Sequence, residues 1–248
     1  MKISFLGTNG WYSTDLGNTI CSLIETKDFY IILDAGDGLY KIDQYVKEEK
    51  PIYLFLSHLH LDHIIGLHIL NKFNFSQGME IFVFHEYENS LTMIINSPFS
   101  LPFSKLPYKV QINHLREGSY NSPFDFKCKL LDHSDPCLGY RFYIGNKIIS
   151  YCTDTGICKN LKSLVNHADL LITESSFKPG NIDEDWPHLN PEQAANLASS
   201  QNVKKLILVH FDASIYLSNE DRQIAEKSAK EIFHNTLVAK DGMVLEIF

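Results

Sequence analysis

At 248 residues, 44% of them hydrophobic, the chain can bury one substantial core and does not require a second domain. A formal net charge of −8 gives no basic footprint for a broad nucleic-acid surface, and five cysteines without a CxxC pair argue against a disulfide framework and for a reducing compartment. No run of about 18 apolar residues offers a membrane span, and MKISFLGTNG reads as a strand and its turn rather than a signal peptide, so a soluble cytoplasmic protein is expected.

In chain order, strand-like segments come at Lys2 to Leu6, Thr19 to Glu25, Phe29 to Leu33, Ile52 to Leu56 and Glu80 to Phe84. A second series follows at Lys109 to His114, Phe124 to Leu131, Gly139 to Ile144 and Lys147 to Tyr151. Leu170 to Thr173, Lys204 to Val209 and Met243 to Ile247 complete the set. Helical patterns occupy Leu39 to Val46, Ile64 to Asn71, Glu88 to Ile95, Pro191 to Ser200 and Glu220 to Phe233. Asn190 before Pro191 is a cap with proline in the first turn, and Ser218 followed by Asp221 resembles a capping box. The segment SPFSLPFSKLPY, 97–108, reads as an irregular loop. With hairpins expected in both halves and helices between them, the pattern suggests an α/β (α+β) fold: one domain over 1–248, two mixed sheets face to face with outer helices, a four-layer αββα sandwich.

The chemistry concentrates at SHLHLDH, residues 57–63, directly after the apolar run ending at Leu56. His58, His60, Asp62 and His63 are the imidazole and carboxylate donors that suit zinc and related divalent ions. Four donors in six residues point in too many directions for one tetrahedral ion, which suggests two. Three further apolar strands run into donor residues: His133, Asp154 and His210. The expected assignment gives His58, His60 and His133 to one ion and Asp62, His63 and His210 to the other. Asp154 lies between them, and a water or hydroxide completes the bridge. Zn2+ is the first expectation for the cofactors, with Mn2+ or Fe2+ acceptable to the same donors. Two ions carry +4, and Asp62, Asp154 and a hydroxide remove three, leaving +1 for a phosphodiester monoanion.

HxHxDH, here His58 to His63, resembles the signature of the metallo-β-lactamase superfamily, and His133, Asp154 and His210 match its remaining ligand motifs in order. FLGTNGWYSTDLGNTICSLIE and LDAGDG resemble its first motifs. The resemblance implies a metal-dependent hydrolase of αββα fold in which Asp34 buttresses the ligands from behind. GYRF at Gly139 to Phe142, CTDTG around Asp154, LLITESSF at Leu170 to Phe177 and HLNPEQAA at His188 to Ala195 are similar to the ribonuclease Z-like branch. That branch implies a pair, here Glu174 and His188, in which the histidine protonates the leaving oxygen. The catalytic set is then Asp62, His188 and Glu174. The other reading of His188 is a staple before the Asn190 helix. Two departures touch the pair. Thr173 precedes Glu174 where the branch has His, and Leu189-Asn190 follow His188 where it has Ser-Thr.

The branch's basic tRNA-gripping arm lies between the third histidine and the bridging aspartate. Here 21 positions separate His133 from Asp154, already filled by GYRFYIGNKIISY. The chain therefore resembles the small arm-less members, some of which hydrolyse cyclic nucleotides or small phosphodiesters. The expected function is a phosphodiesterase with a small-molecule phosphodiester substrate, no membrane partner, RNA only without the arm, and a homodimer as the branch allows. The alternatives are a tRNA 3′-end endonuclease, a lactone or thioester hydrolase on the same metals, and a non-enzymatic metal-binding protein.

Overall fold

The computed structural model of the protein describes residues 1–183 and 185–247. In chain order the main strands are β1 (Lys2–Gly7), β2 (Cys21–Glu25), β3 (Tyr30–Leu33), β4 (Ile52–Phe55), β5 (Met79–Phe84), β6 (Val110–Leu115) and β7 (Gly118–Tyr120). They continue with β8 (Phe126–Leu130), β9 (Leu138–Ile144), β10 (Lys147–Cys152), β11 (Leu170–Glu174), β12 (Leu206–Val209), β13 (Thr236–Val238) and β14 (Val244–Glu246). The helices are α1 (Leu61–Ile64), α2 (Glu88–Ile94), α3 (Lys159–Val165), α4 (Pro191–Ser200) and α5 (Asn219–Ile232). The chain forms two compact units, one of Met1–Leu115 with the segment from Lys240 on, the other Arg116–Ala239.

Each unit is built on a seven-stranded mixed sheet. The first has the order β14-β1-β2-β3-β4-β5-β6 and the second β13-β12-β11-β10-β9-β8-β7. The pairing scheme is the same in both. In the first unit β14 to β3 pair antiparallel and β3 to β6 parallel. In the second, β7 to β10 pair antiparallel and β10 to β13 parallel. The strand order thus repeats where the sequence carries no repeat. The fold class is the expected α/β one, two mixed sheets flanked by helices, but the expectation that hairpins dominate is corrected. Half of the pairings in each sheet are parallel and joined by crossovers. Strand pattern alone did not reveal this, because YIIL and IYLF are apolar on both faces, as buried parallel strands are.

In the first unit, Leu6, Leu23, Ile32, Leu54, Ile81 and Val83 pack under Leu39, Leu67 and Leu70. The segments carrying those three leucines are 3₁₀ turns, Asp37–Gln44 and Ile65–Lys72, where α-helix was expected. In the second unit, alanines Ala194, Ala198, Ala225 and Ala229 join α4 and α5 to a core with Leu171, Leu206 and Leu208.

Two helix starts follow the sequence signals. Asn190 Oδ1 accepts the Gln193 N–H at 2.8 Å while Gln193 Oε1 accepts the Asn190 N–H at 3.0 Å. Ser218 and Asp221 close the same reciprocal box on α5. Helix α3 was not expected: KNLKSLV spans only two turns, and its last carbonyls are closed from the sheet. Arg141 Nη1 donates to Leu164 O at 2.6 Å and Asn166 O at 2.8 Å, and Ser150 Oγ donates to Leu164 O at 2.8 Å. The 97–108 segment is irregular apart from a 3₁₀ turn at Phe103–Lys105. Among the described residues, no helix is long and apolar enough to cross a membrane.

Candidate metal centre

In the first unit the donors stand beyond the carboxyl ends of parallel strands, where open α/β sheets place ligand sites. Ser57 and His58 follow β4, and His60 is the residue that opens α1, so Asp62 and His63 ride on its single turn. This turn is held against the loop after β3: Ala35 N–H donates to His63 O at 2.7 Å, and Gly66 N–H to Ala35 O at 2.8 Å. A Cβ on Gly36 would meet Asp62 O at 2.2 Å, so glycine is required for that approach.

Behind the donors lies a wholly buried network. Asp34 accepts the Ser57 N–H at 2.7 Å on Oδ1 and the Ser57 hydroxyl at 2.8 Å on Oδ2. Its Oδ2 is also 2.9 Å from His63 Nδ1, and Ser57 Oγ is 3.0 Å from His58 Nδ1. A carboxylate only accepts, so the Ser57 proton points to Asp34 and Ser57 Oγ is left to accept. Both His58 and His63 therefore carry their proton on Nδ1 and offer the Nε2 lone pair. Asp62 Oδ2 accepts the Trp11 N–H at 2.8 Å and lies 3.5 Å from His63 Nε2.

The second unit repeats the logic with other residues. His133 follows β8, Asp154 follows β10, Glu174 ends β11, and His210 follows β12. The loops of His133 and Asp154 are tied by Gly156 N–H donating to Asp132 O at 2.8 Å. Ser176 Oγ donates to the carbonyl of His210 at 3.1 Å and sits 3.0 Å from its Nδ1. The hydroxyl oxygen accepts from Nδ1–H, which leaves His210 Nε2 as the donor. That atom is 3.3 Å from Asp154 Oδ1. Glu174, wholly buried, brings both carboxylate oxygens to His188 Nδ1, at 2.8 and 2.9 Å. It also accepts the Thr155 N–H at 2.5 Å and the Leu189 N–H at 3.2 Å.

Three of the six left-handed non-glycine residues among the described residues stand at these positions. Asp34 (φ 55°), Asp154 (φ 52°) and His210 (φ 54°) are left-handed non-glycine residues. Each follows a strand with a parallel neighbour, and β3 and β10 are where the two sheets switch from antiparallel to parallel pairing. Such residues are uncommon and persist where surrounding structure fixes them.

The donor sets fit divalent metal ions. Tetrahedral ligands at the ~2.0–2.1 Å bonds of zinc stand about 3.3 Å apart. Asp154–His210 and Asp62–His63 have that spacing, with carboxylate and imidazole donors and each histidine's second nitrogen anchored. The structure therefore brings Asp34, His58 and His63 into one network, sets Asp62 beside them, and sets Asp154 beside His210 and Glu174 beside His188. Sequence reasoning missed Ser57, Ser176 and Thr155, which orient these groups. It also missed Trp186, whose ring lies 5.8 Å from that of His188 and 6.3 Å from that of His133. Serine beside a ligand is too common a pattern to signal this from sequence alone. Of the remaining histidines, His68, His114, His167 and His234 are exposed.

Comparison with known proteins places this arrangement. The chain is 25% identical to Ribonuclease Z of Enterococcus faecalis over 308 aligned positions, covering 100% of this chain and 97% of that one. Its fold is shared with the metallo-beta-lactamase fold protein YhfI from Bacillus subtilis, at TM-score 0.79, 23% identity and 98% coverage of both chains. It is shared also with human tRNase Z, short form, at TM-score 0.75 and 22% identity over 100% of this chain and 99% of that one. The model of the beta-lactamase superfamily domain matches residues 30–211, a span that runs from before Asp34 to just past His210. With every donor described above inside that match, the chain belongs to the beta-lactamase superfamily.

Proposed function

We propose that the protein is a dinuclear metal-dependent phosphodiesterase acting on a small or cyclic phosphodiester. In this reading the ligand motifs would give His58, His60 and His133 to one ion and Asp62, His63 and His210 to the other. Asp154 would be shared, since its Oδ1 is also 3.3 Å from His210 Nε2. Bound there, a pair of divalent ions would bring the pKa of water from 15.7 down towards about 7, so that attack on phosphorus is available at neutral pH. Asp62 and Asp154 offset only part of the ions' charge, which leaves a positive site for a phosphodiester monoanion.

The observation that carries the reading is the buried Glu174–His188 pair, with His188 Nδ1 within 2.9 Å of both carboxylate oxygens. Glu174 accepts the hydrogen bond from Nδ1–H, steadies the imidazolium and turns Nε2 towards the reaction. His188 Nε2 then hands a proton to the departing oxygen. An alkoxide needs that proton to leave, whereas a thiolate, with a thiol pKa of about 8.5, leaves without it. The pair therefore favours an oxygen ester over a thioester.

Precursor tRNA cleavage is the second reading, because the curated relatives are named Ribonuclease Z. Against it, the aligned span of 308 positions exceeds the 248 residues of this chain. His133 and Asp154 are also only 21 positions apart, a short interval for the tRNA-gripping arm that the branch carries there. The test is metal analysis coupled to a panel of cyclic nucleotides, bis-p-nitrophenyl phosphate, a lactone and precursor tRNA. Turnover of diesters with two ions per chain is expected. Faster turnover of the lactone, or cleavage of precursor tRNA at low enzyme concentration alone, would replace this reading.

A further inference from the structure

The sequence has two tryptophans, and both are exposed. Trp186 is 47% exposed although its neighbours are functional groups. Its ring stands nearly perpendicular to that of His133, at 6.3 Å, and tilted against that of His188, at 5.8 Å. Its carbonyl accepts the His188 N–H at 2.8 Å, and Pro187 follows it, restricting the backbone between the two rings. A large aromatic side chain that is held in place yet left half-open to water contributes little to core stability there. A flat substrate group would complete its burial.

We propose that Trp186 is a specificity-determining residue: its indole is a stacking platform for the nucleobase of a nucleotide substrate. The inference rests on the phosphodiesterase reading and narrows it to nucleotides. The ring lies beside His188, so the stacked base belongs to the side of the phosphorus where that histidine protonates oxygen. Base–aromatic stacking tolerates any of the bases, because each offers a π-face. The expected preference is therefore for nucleotides over base-free phosphates, with weak discrimination between bases.

The test is calorimetric binding of AMP and ribose 5-phosphate to the metal-loaded protein and to Trp186→Ala. AMP should bind the parent about tenfold more tightly than ribose 5-phosphate, within the range of one base stack. In Trp186→Ala that advantage should vanish while ribose 5-phosphate binds as before. In a Trp11→Phe chain, where Trp186 is the remaining tryptophan, AMP should quench the fluorescence saturably. An AMP advantage that survives in Trp186→Ala, or is missing from the parent, overturns the proposal. Equal weakening of both ligands overturns it too, since that marks a merely structural ring. Diester turnover is measured on the same samples. A Trp186-dependent base advantage without turnover would strike the phosphodiesterase reading and uphold the platform.

Discussion

His63 Nδ1 and Asp34 Oδ2 are 2.9 Å apart, and both side chains are wholly buried. The carboxylate holds the proton on Nδ1 and so directs Nε2 outward as a metal donor. Groups behind metal ligands commonly change affinity by 10–100-fold. Asp34→Asn suits this test because asparagine tolerates the left-handed backbone at φ 55°. Its metal affinity, measured by competition with a chelator, should fall by about that factor. Unchanged affinity would remove Asp34 from the support of the site.

The Glu174–His188 pair predicts an effect that depends on the leaving group. His188→Ala should retain its metals and lose about 10²–10⁴-fold in kcat on alkyl diesters. The loss should be much smaller for bis-p-nitrophenyl phosphate, whose leaving group needs little protonation. Equal losses on both substrates would dispose of the general-acid role.

Glu174 also has a structural part, since it accepts the Thr155 and Leu189 N–H groups inside the protein. Replacing it by alanine leaves buried donors unmet, at a cost of about 1–3 kcal/mol. Chemical denaturation of metal-free Glu174→Ala should show a lower midpoint than the parent. His188→Ala, a position at the edge of burial, should show a smaller shift.

Acid stability should carry the signature of Asp221. The Lys178 ammonium, at 2.7 Å from Oδ1, holds this carboxyl below its ordinary range, against an opposing effect of burial and with help from Ser218 and the Leu217 N–H. A folded-state pKa below the unfolded value, about 3.9, means stabilisation that is complete above that value. It is lost as pH falls through the lower folded value. Thermal midpoints of chelator-treated parent and Asp221→Asn should therefore differ at pH 6 and converge as the pH drops well below 4. A gap that stays constant with pH would contradict this.

The thiols predict selective labelling. Burial pushes the Cys128 thiol up to about 12 and raises Cys21 and Cys152 as well, and Cys137 is also buried. Cys158 is partly exposed. The native protein should react with a thiol reagent at one cysteine of five, identified by mass spectrometry, and at all five in denaturant.

Residue type and spacing were enough to mark the candidate donors and the α/β class. His58 to His63 follow an apolar strand, the later donors follow others, and the caps at Asn190 and Ser218 mark helix starts. These are local matters of residue type, spacing and period. That half of each sheet is parallel, that Leu39 and Leu67 ride on 3₁₀ turns, and that Arg141 closes α3 became legible in the folded chain alone. It alone set Ser57 between Asp34 and two histidines and turned Trp186 to face His188. The physical reason is that strand partners, hydrogen-bond tautomers and ring contacts are set by residues far apart in sequence. A single run of side chains carries no record of which neighbour the fold will bring to it.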